Sequence, residues 1–492
     1  MSPELHAFQQ RLALHAVERP LVTALWGDER SVDYASLQAE IDLRREWLRD
    51  VQASSLGLAL ADATNTLLWD LAALFEEIPC ILLPPFFTAA QRRHCLEQSQ
   101  VYTVLADLAH DAELEAIGYH RAGLFWFRER AHTSLPPGTA KLTYTSGSTG
   151  TPKGVCLSAA GILGVTQALA AATQASGASH QMALLPLAVL LENVGCYAAL
   201  WLGATVSLPS QQRLGLQGAS SLDLQALLAI LAERRPDSLI LVPQLLQVLV
   251  GAAEQGYLAP GWFRFLAVGG ARVSTPLLKR ALALGLPVHE GYGLSECASV
   301  VSLNRPGLQR PGSVGKPLPH VQVRLADDGE VLVSSNAMLG YLGDPSAVPV
   351  WWPTGDLGQF DEDGYLYLHG RKKNQFITSY GRNVNPEWIE AELTQGGVIA
   401  QAFVYGEAQP RNHALLWPLN PASADTQIQE AVERANQALP GYAQVHAWSR
   451  LDQPFTPDNG MLTSNGRPRR DAIIAHYQHL LIANPAAEDI AS

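Results

Sequence analysis

Residues 143–158, with the sequence TYTSGSTGTPKGVCLS, form the segment that most constrains how this chain can fold. Between Thr145 and Gly154 the segment carries three glycines, five hydroxyl residues and one lysine. Glycine lets a backbone approach an anion because no Cβ stands in the way, and successive N–H groups in a tight loop form an anion-binding concavity. The segment therefore predicts a phosphate-binding loop, entered by a strand at 141–144 and followed by a helix that begins near Ala159.

The donors of this loop would be backbone amides, hydroxyl groups and one positive charge. They come from Thr145, Ser146, Gly147, Ser148, Thr149, Gly150 and Lys153. The spacing G-x-x-x-x-G-K-[ST] of the P-loop nucleotide hydrolases is not present, so the sequence excludes that class. Glycine, serine and threonine alone usually form an ordinary turn, and the ending Pro152-Lys153-Gly154 makes this string far more specific.

The length and composition of the chain predict a folded protein with more than one domain. A chain of 492 residues is too long for one ordinary core. With 47% hydrophobic and 16% charged residues, it is too apolar for a disordered protein. The 34 basic and 46 acidic residues give a net charge of −12. This balance argues against nucleic acid as a partner, because phosphate neutralisation needs a basic face.

Cysteine usage and the terminal sequence predict a cytoplasmic protein. The five cysteines are scattered without metal-ligand spacing, which suits reduced thiols. The N-terminal segment contains no apolar stretch typical of a signal peptide. The longest apolar stretches, such as 182–191, are much shorter than the roughly 20 residues of a membrane helix, so we expect no membrane span.

Short apolar runs alternate with amphipathic stretches over most of the chain and predict an α/β fold. Strands are predicted at 56–60, 80–83, 102–105, 204–208, 238–242 and 263–268, and helices at 36–49, 67–75, 222–234 and 277–284. Such alternation is typical of a largely parallel sheet covered by helices.

The pattern changes after about residue 320. Strands predicted at 322–325, 330–333 and 365–369 are separated by Asp-Gly turns, which is typical of β-hairpins. A smaller α+β unit follows, with strands at 375–378 and 398–404 and a helix from Pro386, a residue suited to the first helical position. We therefore predict a large N-terminal domain at 1–371, a hinge near Lys373 and a small mobile C-terminal domain at 374–492.

Further strings follow in the second half of the chain. They are GGA at 269–271, EGYGLSE at 290–296, TGD at 354–356, GRKK at 370–373 and GRNVNPEWIE at 381–390. A string such as GGA, TGD or GRKK taken alone is usually a turn or a basic surface segment. Together with residues 143–158, and in this order, the strings resemble the signature of the adenylate-forming superfamily. That superfamily comprises acyl-CoA synthetases, luciferases and nonribosomal adenylation domains.

The resemblance implies an ATP site assembled from these strings. Its nucleotide-binding residues would be Gly269, Gly270, Ala271, Glu290, Gly291, Tyr292, Gly293, Ser295, Asp356 and Arg371. In this assignment the Tyr292 ring stacks on adenine and Ser295 meets the α-phosphate. Asp356 and Arg371 hold the ribose. Glu296 would bind the Mg²⁺ that accompanies ATP, since a carboxylate is the hard oxygen ligand that Mg²⁺ prefers.

The resemblance also implies a second half-reaction with a thiol. Lys373 would lie at the pivot of the small domain, and the loop that begins at Gly381 would be presented to the acceptor. The acceptor would be coenzyme A or the phosphopantetheine arm of an acyl carrier protein. The reaction would be attack of a carboxylate on the α-phosphate of ATP, followed by transfer of the acyl group to that thiol.

Within the superfamily, the closer resemblance is to the long-chain fatty acyl-CoA synthetase-like group. The strings LPL at 185–187 and LLE at 190–192 resemble the motif LPLxHxxE, and NGMLT at 459–463 resembles NGxLT. Val189 stands where that motif has histidine, and Arg467 stands where the family has its catalytic lysine. Lysine is a compact point charge, whereas arginine is a wide planar fork. The resemblance implies that Arg467 closes over the site during adenylation.

The nature of the acid is predicted from the candidate lining of the acyl pocket. That lining comprises Leu187, Val189, Leu190, Val194, Val242, Val268 and Val300. It is apolar and has no evident carboxylate to pair with an amino group, which favours a small-molecule fatty or aryl acid over an amino acid. Two alternatives stay open: transfer of the acyl group to an amine or hydroxyl, and a non-catalytic acyl- or nucleotide-binding relative. A monomer or a homodimer is expected.

Overall fold

Helices and strands alternate along the chain in this computed structural model, which describes residues 2–129, 135–145, 153–217, 221–380, 382–463 and 466–481. The helices are α1 (Pro3–Glu18), α2 (Tyr34–Asp50), α3 (Ala63–Phe75), α4 (Ala89–Ser99), α5 (Asp111–Ala116), α6 (Ala159–Thr173), α7 (Leu190–Trp201), α8 (Leu224–Arg234), α9 (Pro243–Glu254), α10 (Thr275–Ala283), α11 (Pro386–Thr394), α12 (Asp425–Gln437) and α13 (Arg470–Leu481).

The strands of the first half of the chain are β1 (Thr23–Trp26), β2 (Ser31–Asp33), β3 (Leu56–Ala59), β4 (Cys80–Leu82), β5 (Thr103–Ala106), β6 (His120–Ala122), β7 (Phe125–Phe127), β8 (Thr139–Thr145), β9 (Lys153–Ser158), β10 (His180–Met182), β11 (Thr205–Ser207), β12 (Leu216–Gln217), β13 (Ser221–Leu222) and β14 (Ser238–Leu241). Those of the second half are β15 (Phe265–Val268), β16 (Val288–Tyr292), β17 (Ser302–Leu303), β18 (Lys316–Pro317), β19 (Gln322–Leu325), β20 (Glu330–Ser334), β21 (Met338–Tyr341), β22 (Trp352–Phe360), β23 (Leu366–Arg371), β24 (Phe376–Ile377), β25 (Asn383–Val384), β26 (Ile399–Tyr405), β27 (Asn412–Pro418) and β28 (Val445–Arg450).

Two large sheets form the N-terminal domain. One has the strand order β18-β17-β16-β15-β14-β10-β11-β1-β2, and the other has the order β21-β9-β8-β4-β3-β5-β7-β6. The pairs among β11, β10, β14, β15 and β16 are parallel, as are those among β5, β3, β4 and β8. The carboxyl ends of parallel neighbours meet at one edge of a sheet, and ligands of open α/β sheets bind at that edge. The loops after β15 and β16 are therefore brought together.

The hydrophobic cores follow this layering. The largest cluster of buried apolar side chains gathers residues of α1, α2, α3, α6 and α7 with residues of both large sheets. A second cluster joins α8, α9 and α10 to β14, β15 and β16. Among the residues that the structure describes, no helix has the length and apolar composition needed to cross a membrane.

The hairpin-rich part and the small domain follow the order that the sequence predicted. Strands β19, β20, β22 and β23 form an antiparallel sheet, and β26, β27 and β28 form a separate sheet. Helices α11 and α12 pack on the small sheet, and α13 contributes to a further core on it. The α/β class with a large N-terminal and a smaller C-terminal domain is confirmed. The boundary at 371–374 and the hinge stay predictions.

Helix α11 begins where the sequence predicted because two local features fix its start. The side chain of Asn385 accepts a hydrogen bond from the backbone N–H of Glu387 at 3.0 Å, which satisfies one of the free donors of the first turn. Pro386 occupies the first helical position, where a missing N–H leaves nothing unpaired.

Strand β9 is the main difference from the predicted elements. Helix α6 begins at Ala159 as predicted, but β9 stands between the glycine-rich loop and that helix. It pairs antiparallel with β8, so that Thr145 lies opposite Lys153. Val155, Cys156 and Leu157 are all buried, because β9 lies between β8 and β21. The glycine-rich loop therefore joins the two strands of a hairpin and does not lead directly into a helix.

Candidate active site

The β8–β9 hairpin brings the two ends of the predicted phosphate loop together. Thr145 and Lys153 are paired across the hairpin, and the Lys153 side chain is exposed. The predicted loop residues Ser146, Gly147, Ser148, Thr149 and Gly150 lie outside the described residues. Their role in binding phosphate stays a prediction, whereas the backbone positions that lead into and out of the loop are fixed by the sheet.

Lys153 and Glu296 lie on either side of one tyrosine. The hydroxyl of Tyr341 donates a hydrogen bond to Glu296 Oε1 at 2.8 Å. The ammonium group of Lys153 lies 5.6 Å from the centroid of the Tyr341 ring, within the range of a cation–π interaction. Burial and the Glu296 carboxylate raise the pKa of Tyr341, so its hydroxyl stays a donor. Tyr341 thus joins the predicted metal ligand to the predicted phosphate-binding lysine.

The surroundings of Glu296 fit a magnesium ion shared with a nucleotide. Glu296 is partly exposed, and one of its oxygens is held by Tyr341. In the described ranges, no group of three or more His, Cys, Asp or Glu side chains could hold a metal on its own. Mg²⁺ commonly takes one or two carboxylates and fills its other positions with phosphates and water. A single open carboxylate beside Tyr341 and Lys153 matches that chemistry.

Four glycines lie at the carboxyl ends of β15 and β16, and we call the region that they form the glycine-lined slot: Gly269, Gly270, Gly291 and Gly293. A Cβ at Gly269 would lie 3.3 Å from the carbonyl oxygen of Gly291, and one at Gly293 would overlap the backbone oxygen of Ser299 at 1.5 Å. Gly270 has φ +81°, a left-handed conformation that L side chains rarely adopt. Of the residues predicted in the wall of the adenine pocket, Gly269 leaves little space for a side chain and Gly270 has a backbone conformation that disfavours one. Both features keep the backbone accessible to a flat base.

The remaining residues predicted in this wall have different surroundings. Ala271 is exposed beside Gly270, and Ser295 is half-buried in the turn that carries Glu296. The Glu290 carboxylate is buried and accepts a hydrogen bond from the N–H of Gly312 at 2.9 Å. Burial raises the pKa of Glu290 to about 7. Its contact to a nucleotide stays a prediction.

Tyr292, Asp356 and Arg371 form one hydrogen-bonded group. The Tyr292 hydroxyl donates to Asp356 Oδ2 at 2.7 Å, and Arg371 Nε lies 2.8 Å from Asp356 Oδ1. Arg371 also donates through Nη1 to the carbonyl oxygen of Thr354 at 3.0 Å. Asp356 and Arg371 are opposite each other on β22 and β23, which fixes their separation. The three residues predicted around adenine and ribose are thus in direct contact.

The charge of Asp356 is set by two opposing effects. Burial raises the pKa of Asp356, because a carboxylate loses hydration inside the protein. The Arg371 guanidinium and the Tyr292 hydroxyl lower that pKa, since both stabilise the charged form. Asp356 is therefore a desolvated carboxylate that already accepts hydrogen bonds from Tyr292 and Arg371. Ribose hydroxyl groups would join these donors or take their place.

Arg467 reaches this group from the small domain. Its Nη2 donates a hydrogen bond to the carbonyl oxygen of Gly270 at 3.3 Å. Desolvation at the domain interface and the charge of Arg371 lower the pKa of Arg467, and Asp356 opposes both effects. Although the Arg467 side chain is exposed, its guanidinium lies close enough to Arg371 and Asp356 for their charges to affect its pKa. The structure brings Arg467 to the glycine-lined slot.

Further contacts hold the two domains in this arrangement. Gln247 Nε2 donates to the carbonyl oxygen of Thr394, and Arg280 Nη1 donates to that of Gln395, both at 3.3 Å. Ser274 Oγ donates to the Gln395 side chain at 3.3 Å. All three donors are in the N-terminal domain, and the acceptors belong to Thr394, the last residue of α11, and to Gln395, which follows it. The interface is thus built from polar contacts, which are typical of domains that move relative to one another.

The two lysines of the predicted hinge differ in their surroundings within the described residues. Lys372 Nζ lies 2.5 Å from Asp328 Oδ2 and 3.0 Å from Glu330 Oε2, in the hairpin-rich sheet. Lys373 is exposed, and none of the ion pairs found in the described part of the chain includes it. Gly381 lies outside the described residues. The hinge role of Lys373 and the thiol-facing role of Gly381 stay predictions.

The predicted lining of the acyl pocket is partly packed core. Val194 on α7 and Val268 on β15 are buried within the two hydrophobic clusters and do not line an open pocket. Leu187 and Leu190 line a cavity of about 10 Å³, roughly the size of one water, together with the polar side chain of Lys141. The lining is therefore less uniformly apolar than the sequence predicted.

Family models and a curated relative match most of this chain. Residues 8–342 match the AMP-binding enzyme family, and residues 373–483 match the AMP-binding enzyme C-terminal domain. The chain belongs to the AMP-binding enzyme family. The predicted resemblance to adenylate-forming proteins is thereby confirmed. The long-chain-fatty-acid–CoA ligase FadD15 of Mycobacterium bovis is 28% identical to this AMP-binding enzyme over 419 residues, covering 69% of this chain and 68% of that protein.

Solved structures share the fold of this AMP-binding enzyme. One is o-succinylbenzoate CoA synthetase from Bacillus subtilis in complex with the acyl-adenylate OSB-AMP, with a TM-score of 0.75 and 23% identity over 94% of this chain and 97% of that chain. Another is the amide bond synthetase McbA from Marinactinospora thermotolerans, with a TM-score of 0.75 and 21% identity over 96% and 100% of the two chains. At these identities the likeness concerns the fold.

Sequence reasoning missed two residues of the site of this AMP-binding enzyme. Tyr341 joins Glu296 to Lys153, and Glu387 accepts from the backbone N–H of Arg371 at 3.4 Å. Glu387 stands in the GRNVNPEWIE string, so a motif pointed to its segment but not to its contact. Tyr341 stands in no motif, and only the pairing of β21 with β9 brings it to the site.

Sequence reasoning also missed a buried charged cluster beside β8. Lys141 Nζ lies 2.8 Å from both carboxylate oxygens of Asp70 and 2.5 Å from Asn193 Oδ1. The Tyr197 hydroxyl donates to Asp70 Oδ2 at 2.6 Å. Lys141 is 3% exposed and Asp70 is fully buried. The cluster ties β8, which enters the phosphate loop, to α3 and α7.

Proposed function

We propose that this AMP-binding enzyme activates a carboxylic acid with ATP to an acyl-adenylate and then transfers the acyl group to the thiol of coenzyme A. The observation that carries the proposal is the meeting of Arg467 with Gly270, beside the group formed by Tyr292, Asp356 and Arg371. Residues from both domains, which the sequence assigned to one reaction, are in contact around a single slot.

The first half-reaction would depend on positioning and electrostatic stabilisation. A carboxylate oxygen would attack the α-phosphorus of ATP, and the bond to the bridging oxygen of pyrophosphate would break. Asp356 and Arg371 would hold the ribose, and the slot at Gly269 would hold adenine. Lys153 would contact the phosphates that leave, and Arg467 would stabilise negative charge that develops on the α-phosphate. Fixed charges of this kind act without reorganising during the reaction.

Glu296 would hold the magnesium ion that accompanies ATP. When bound there, Mg²⁺ would neutralise part of the negative charge of the phosphates. The hydroxyl of Tyr341 would orient the Glu296 carboxylate, because it already donates to one of its oxygens at 2.8 Å.

The second half-reaction would require that Arg467 leave the slot. A rotation of the small domain about Lys373 would withdraw it and bring the segment near Gly381 to the acyl-adenylate. The thiol sulfur would attack the acyl carbon, its proton would be lost, and AMP would leave. Movement about a few hinge residues is a common way to alternate two site geometries. The polar contacts between Arg280 and Gln395 would break in that rotation.

The acid is proposed to be a fatty acid of medium to long chain, with an aryl acid as the second class. The likeness to a long-chain-fatty-acid–CoA ligase supports this assignment. The cavity beside Leu187 and Leu190 has room for about one water and does not itself hold an acyl chain. Val189 occupies the position of the motif histidine, which leaves an apolar residue where an imidazole is usual in that group.

Pyrophosphate release across a panel of fatty, aryl and amino acids, with and without coenzyme A, tests the proposal. We expect release that depends on the acid and on Mg²⁺, and an acyl-CoA product only when coenzyme A is present. Faster turnover of a zwitterionic amino acid than of every fatty acid would contradict the substrate class. Release that yields an amide or ester in place of a thioester would favour the alternative acceptors, and no release with any acid would favour a non-catalytic relative.

A further inference from the structure

One carboxylate of helix α11 spans the predicted hinge. Glu387 is half-buried in the first turn of α11, and its Oε1 accepts a hydrogen bond from Asn374 Nδ2 at 2.5 Å. Its Oε2 accepts from the backbone N–H of Arg371, the last residue of β23, at 3.4 Å. Lys373 lies between these two donors in the chain. Glu387 therefore joins the small domain to the last strand of the N-terminal domain, across the residue predicted as the pivot.

The residue before Arg371 is a glycine that packs against the start of the same helix. A Cβ at Gly370 would lie 1.8 Å from Asn385 Nδ2, so a larger residue fits only if that side chain moves. Gly370 also has φ +123°, a conformation that L side chains rarely adopt. Asn385 is buried, and its Oδ1 accepts from the N–H of Glu387 at 3.0 Å. We call Asn385 and Glu387, with the segment 370–374 that they contact, the hinge clasp.

One feature of the hinge clasp favours its release. The buried Nδ2 of Asn385 has no hydrogen-bond partner among the residues that the structure describes. A buried donor without a partner costs free energy, which is recovered when water reaches it. Movement of α11 away from Gly370 would expose this donor. The hinge clasp thus combines the favourable contacts of Glu387 with the unfavourable burial of Asn385, and a contact of small net strength suits a domain that moves.

Helix α11 also holds the segment that carries Arg467. Glu390, one turn after Glu387, pairs with Arg470 Nη1 at 2.7 Å, and both side chains are only 12% exposed. The same carboxylate accepts from the N–H of Val404 at 2.8 Å, which fixes it against the small sheet. Arg470 is the first residue of α13 and follows Arg467 by three positions. The position of α11 therefore determines where the base of the Arg467 segment lies.

A further set of contacts places the same helix on the N-terminal domain. The Arg272 guanidinium carbon lies 6.0 Å from the centroid of the Trp388 ring, at the limit of a cation–π interaction. Gln395, seven residues later, accepts from Ser274 and Arg280. Residues seven apart lie on one face of a helix. One side of α11 thus rests on the N-terminal domain, and the hinge clasp fixes its first turn.

The charge of Glu387 acts on the site as well. Desolvation and the charge of Arg371 lower the pKa of Arg467, whereas the charges of Asp356 and Glu387 raise it. The guanidinium groups of Arg371 and Arg467 repel each other where both approach the glycine-lined slot. A carboxylate on α11 reduces that repulsion, and it stabilises the arrangement in which Arg467 contacts Gly270.

We propose that Glu387 is a positioning residue for the first half-reaction, because its carboxylate holds α11 across the hinge while Arg467 is at the slot. The inference rests on the proposed function. Glu387 would contact neither ATP nor the acid, and it would act through Arg371 and, by way of α11, through Arg467. Rotation about Lys373 would carry Glu387 away from the N–H of Arg371. A contact made in only one of two arrangements shifts their equilibrium toward that arrangement, so Glu387 would favour adenylation over thiol transfer.

The distance between the two domains tests the hinge clasp without any turnover. The five cysteines of the chain are buried, so cysteines introduced at the exposed positions Gln255 and Thr426 can be spin-labelled selectively in the full-length protein. Electron–electron resonance then measures the separation of the labels across the two domains. We expect Glu387→Ala to lower the ratio of the closed to the displaced arrangement by about 3- to 10-fold, because one hydrogen-bonded contact is lost. An unchanged distance distribution would overturn the proposal.

The matched control for this measurement is Glu430→Ala. Glu430 is an exposed glutamate of α12, in the same domain but outside the hinge clasp. We expect this variant to give the distance distribution of the unmodified protein. The same shift in Glu430→Ala and in Glu387→Ala would contradict a specific role for Glu387.

The two half-reactions give a readout that a purely structural role would not produce. Glu387→Ala should reduce pyrophosphate release by about 3- to 10-fold, whereas thioester formation from a supplied acyl-adenylate should be unchanged or faster. Glu387→Gln keeps the length of the side chain and one acceptor oxygen, so it should show the same pattern with a smaller change even if the alanine variant does not fold. A parallel fall in both half-reactions, or unchanged pyrophosphate release, would overturn the assignment.

The two proposals fail in distinguishable ways. If no carboxylic acid supports pyrophosphate release, the proposed function is wrong, but the distance measurement still reports whether Glu387 holds the small domain. If acyl-CoA forms normally and Glu387→Ala changes neither the label separation nor the balance of the two half-reactions, the role of Glu387 alone is wrong.

Discussion

Arg467 in the small domain donates a hydrogen bond to the carbonyl oxygen of Gly270 in the large domain, over 3.3 Å. The acceptor is a backbone oxygen at a glycine with φ +81°, so the contact does not depend on a side chain of the large domain. The guanidinium therefore lies at the slot. This single contact relates the chemistry of the first half-reaction to the position of the small domain.

Substitution of Arg467 tests whether the arginine serves in place of the usual lysine. We expect Arg467→Ala to reduce pyrophosphate release by about 100-fold, because a charge aimed at the developing negative charge is lost. Arg467→Lys should match or exceed the unmodified rate. Thioester formation from a supplied acyl-adenylate should survive both changes, since Arg467 leaves the slot for that step. Equal pyrophosphate release from all three proteins would show that position 467 does not serve adenylation.

Glu296→Gln tests the magnesium site. The substitution keeps the shape of the side chain and its contact to the Tyr341 hydroxyl, but it removes the negative charge that attracts the metal. We expect Mg²⁺-dependent pyrophosphate release to fall to background while the circular dichroism spectrum and the thermal midpoint stay unchanged. Tyr341→Phe is the companion variant and should raise the Mg²⁺ concentration needed for half-maximal rate without abolishing activity. Unchanged release in Glu296→Gln would place the metal elsewhere.

Asp356→Ala should weaken ATP binding by about 1–3 kcal/mol, the range expected when charge-assisted hydrogen bonds are left unmade. The structure gives a second reason to expect this loss of affinity: Arg371 would lose its partner, the Asp356 carboxylate 2.8 Å away. Asp356→Asn keeps an acceptor for Tyr292 and should lose less affinity than Asp356→Ala. Equilibrium binding of ATP measures both. If neither substitution alters the affinity for ATP, the TGD string is only a structural turn.

The Lys141–Asp70 pair gives a prediction for stability. Lys141→Met leaves the Asp70 carboxylate buried without its cation, and we expect a loss of about 3–5 kcal/mol in the free energy of unfolding, measured in urea. Adding Asp70→Asn removes that charge and should recover part of the loss. Arg93→Met removes an exposed pair with Glu97 at 2.8 Å and should cost less than about 1 kcal/mol. Similar losses in Lys141→Met and Arg93→Met would contradict the buried-charge argument.

Glu192 gives a prediction for the pH dependence of stability. Burial raises the pKa of Glu192 to about 8, although the N–H of Leu185 donates to its carboxylate at 3.1 Å. Between the pKa of the unfolded chain, about 4.3, and the folded value, the folded protein binds one more proton than the unfolded chain. Stability contributed by this group therefore falls as pH rises through that window, by at most about 1.4 kcal/mol per pH unit.

Glu192→Gln removes this titration and isolates its effect. The difference in free energy of unfolding between the variant and the unmodified protein should move in favour of the variant as pH increases from about 6.5 to 8. This range avoids His289 and His320, because burial lowers the pKa of each to about 4 and their contribution changes at lower pH. A difference that stays constant across the range would show that Glu192 does not titrate there.

Local sequence predicted the elements of the fold well. Helix α11 begins at Pro386 and strand β14 begins at Ser238, as their caps and apolar runs indicated. Such features depend on a few adjacent residues, which is why a sequence reports them. Strand β9 was not predicted, because its residues belong to a string whose glycines and hydroxyl groups are typical of a loop. Its burial depends on the neighbouring strands β8 and β21, which are distant in the sequence or separated by that loop.

The sequence by itself determined which chemical groups are present and in which order. A nucleotide site is indicated by the glycines and hydroxyl groups together with Glu296, Asp356 and Arg467, because each kind of group has a restricted chemistry. Information of this kind is local in the sequence. The tertiary structure alone decided which of them meet. Tyr292 and Asp356 are 64 residues apart and Arg467 and Gly270 are 197 apart, so their contacts depend on sheet register and domain packing.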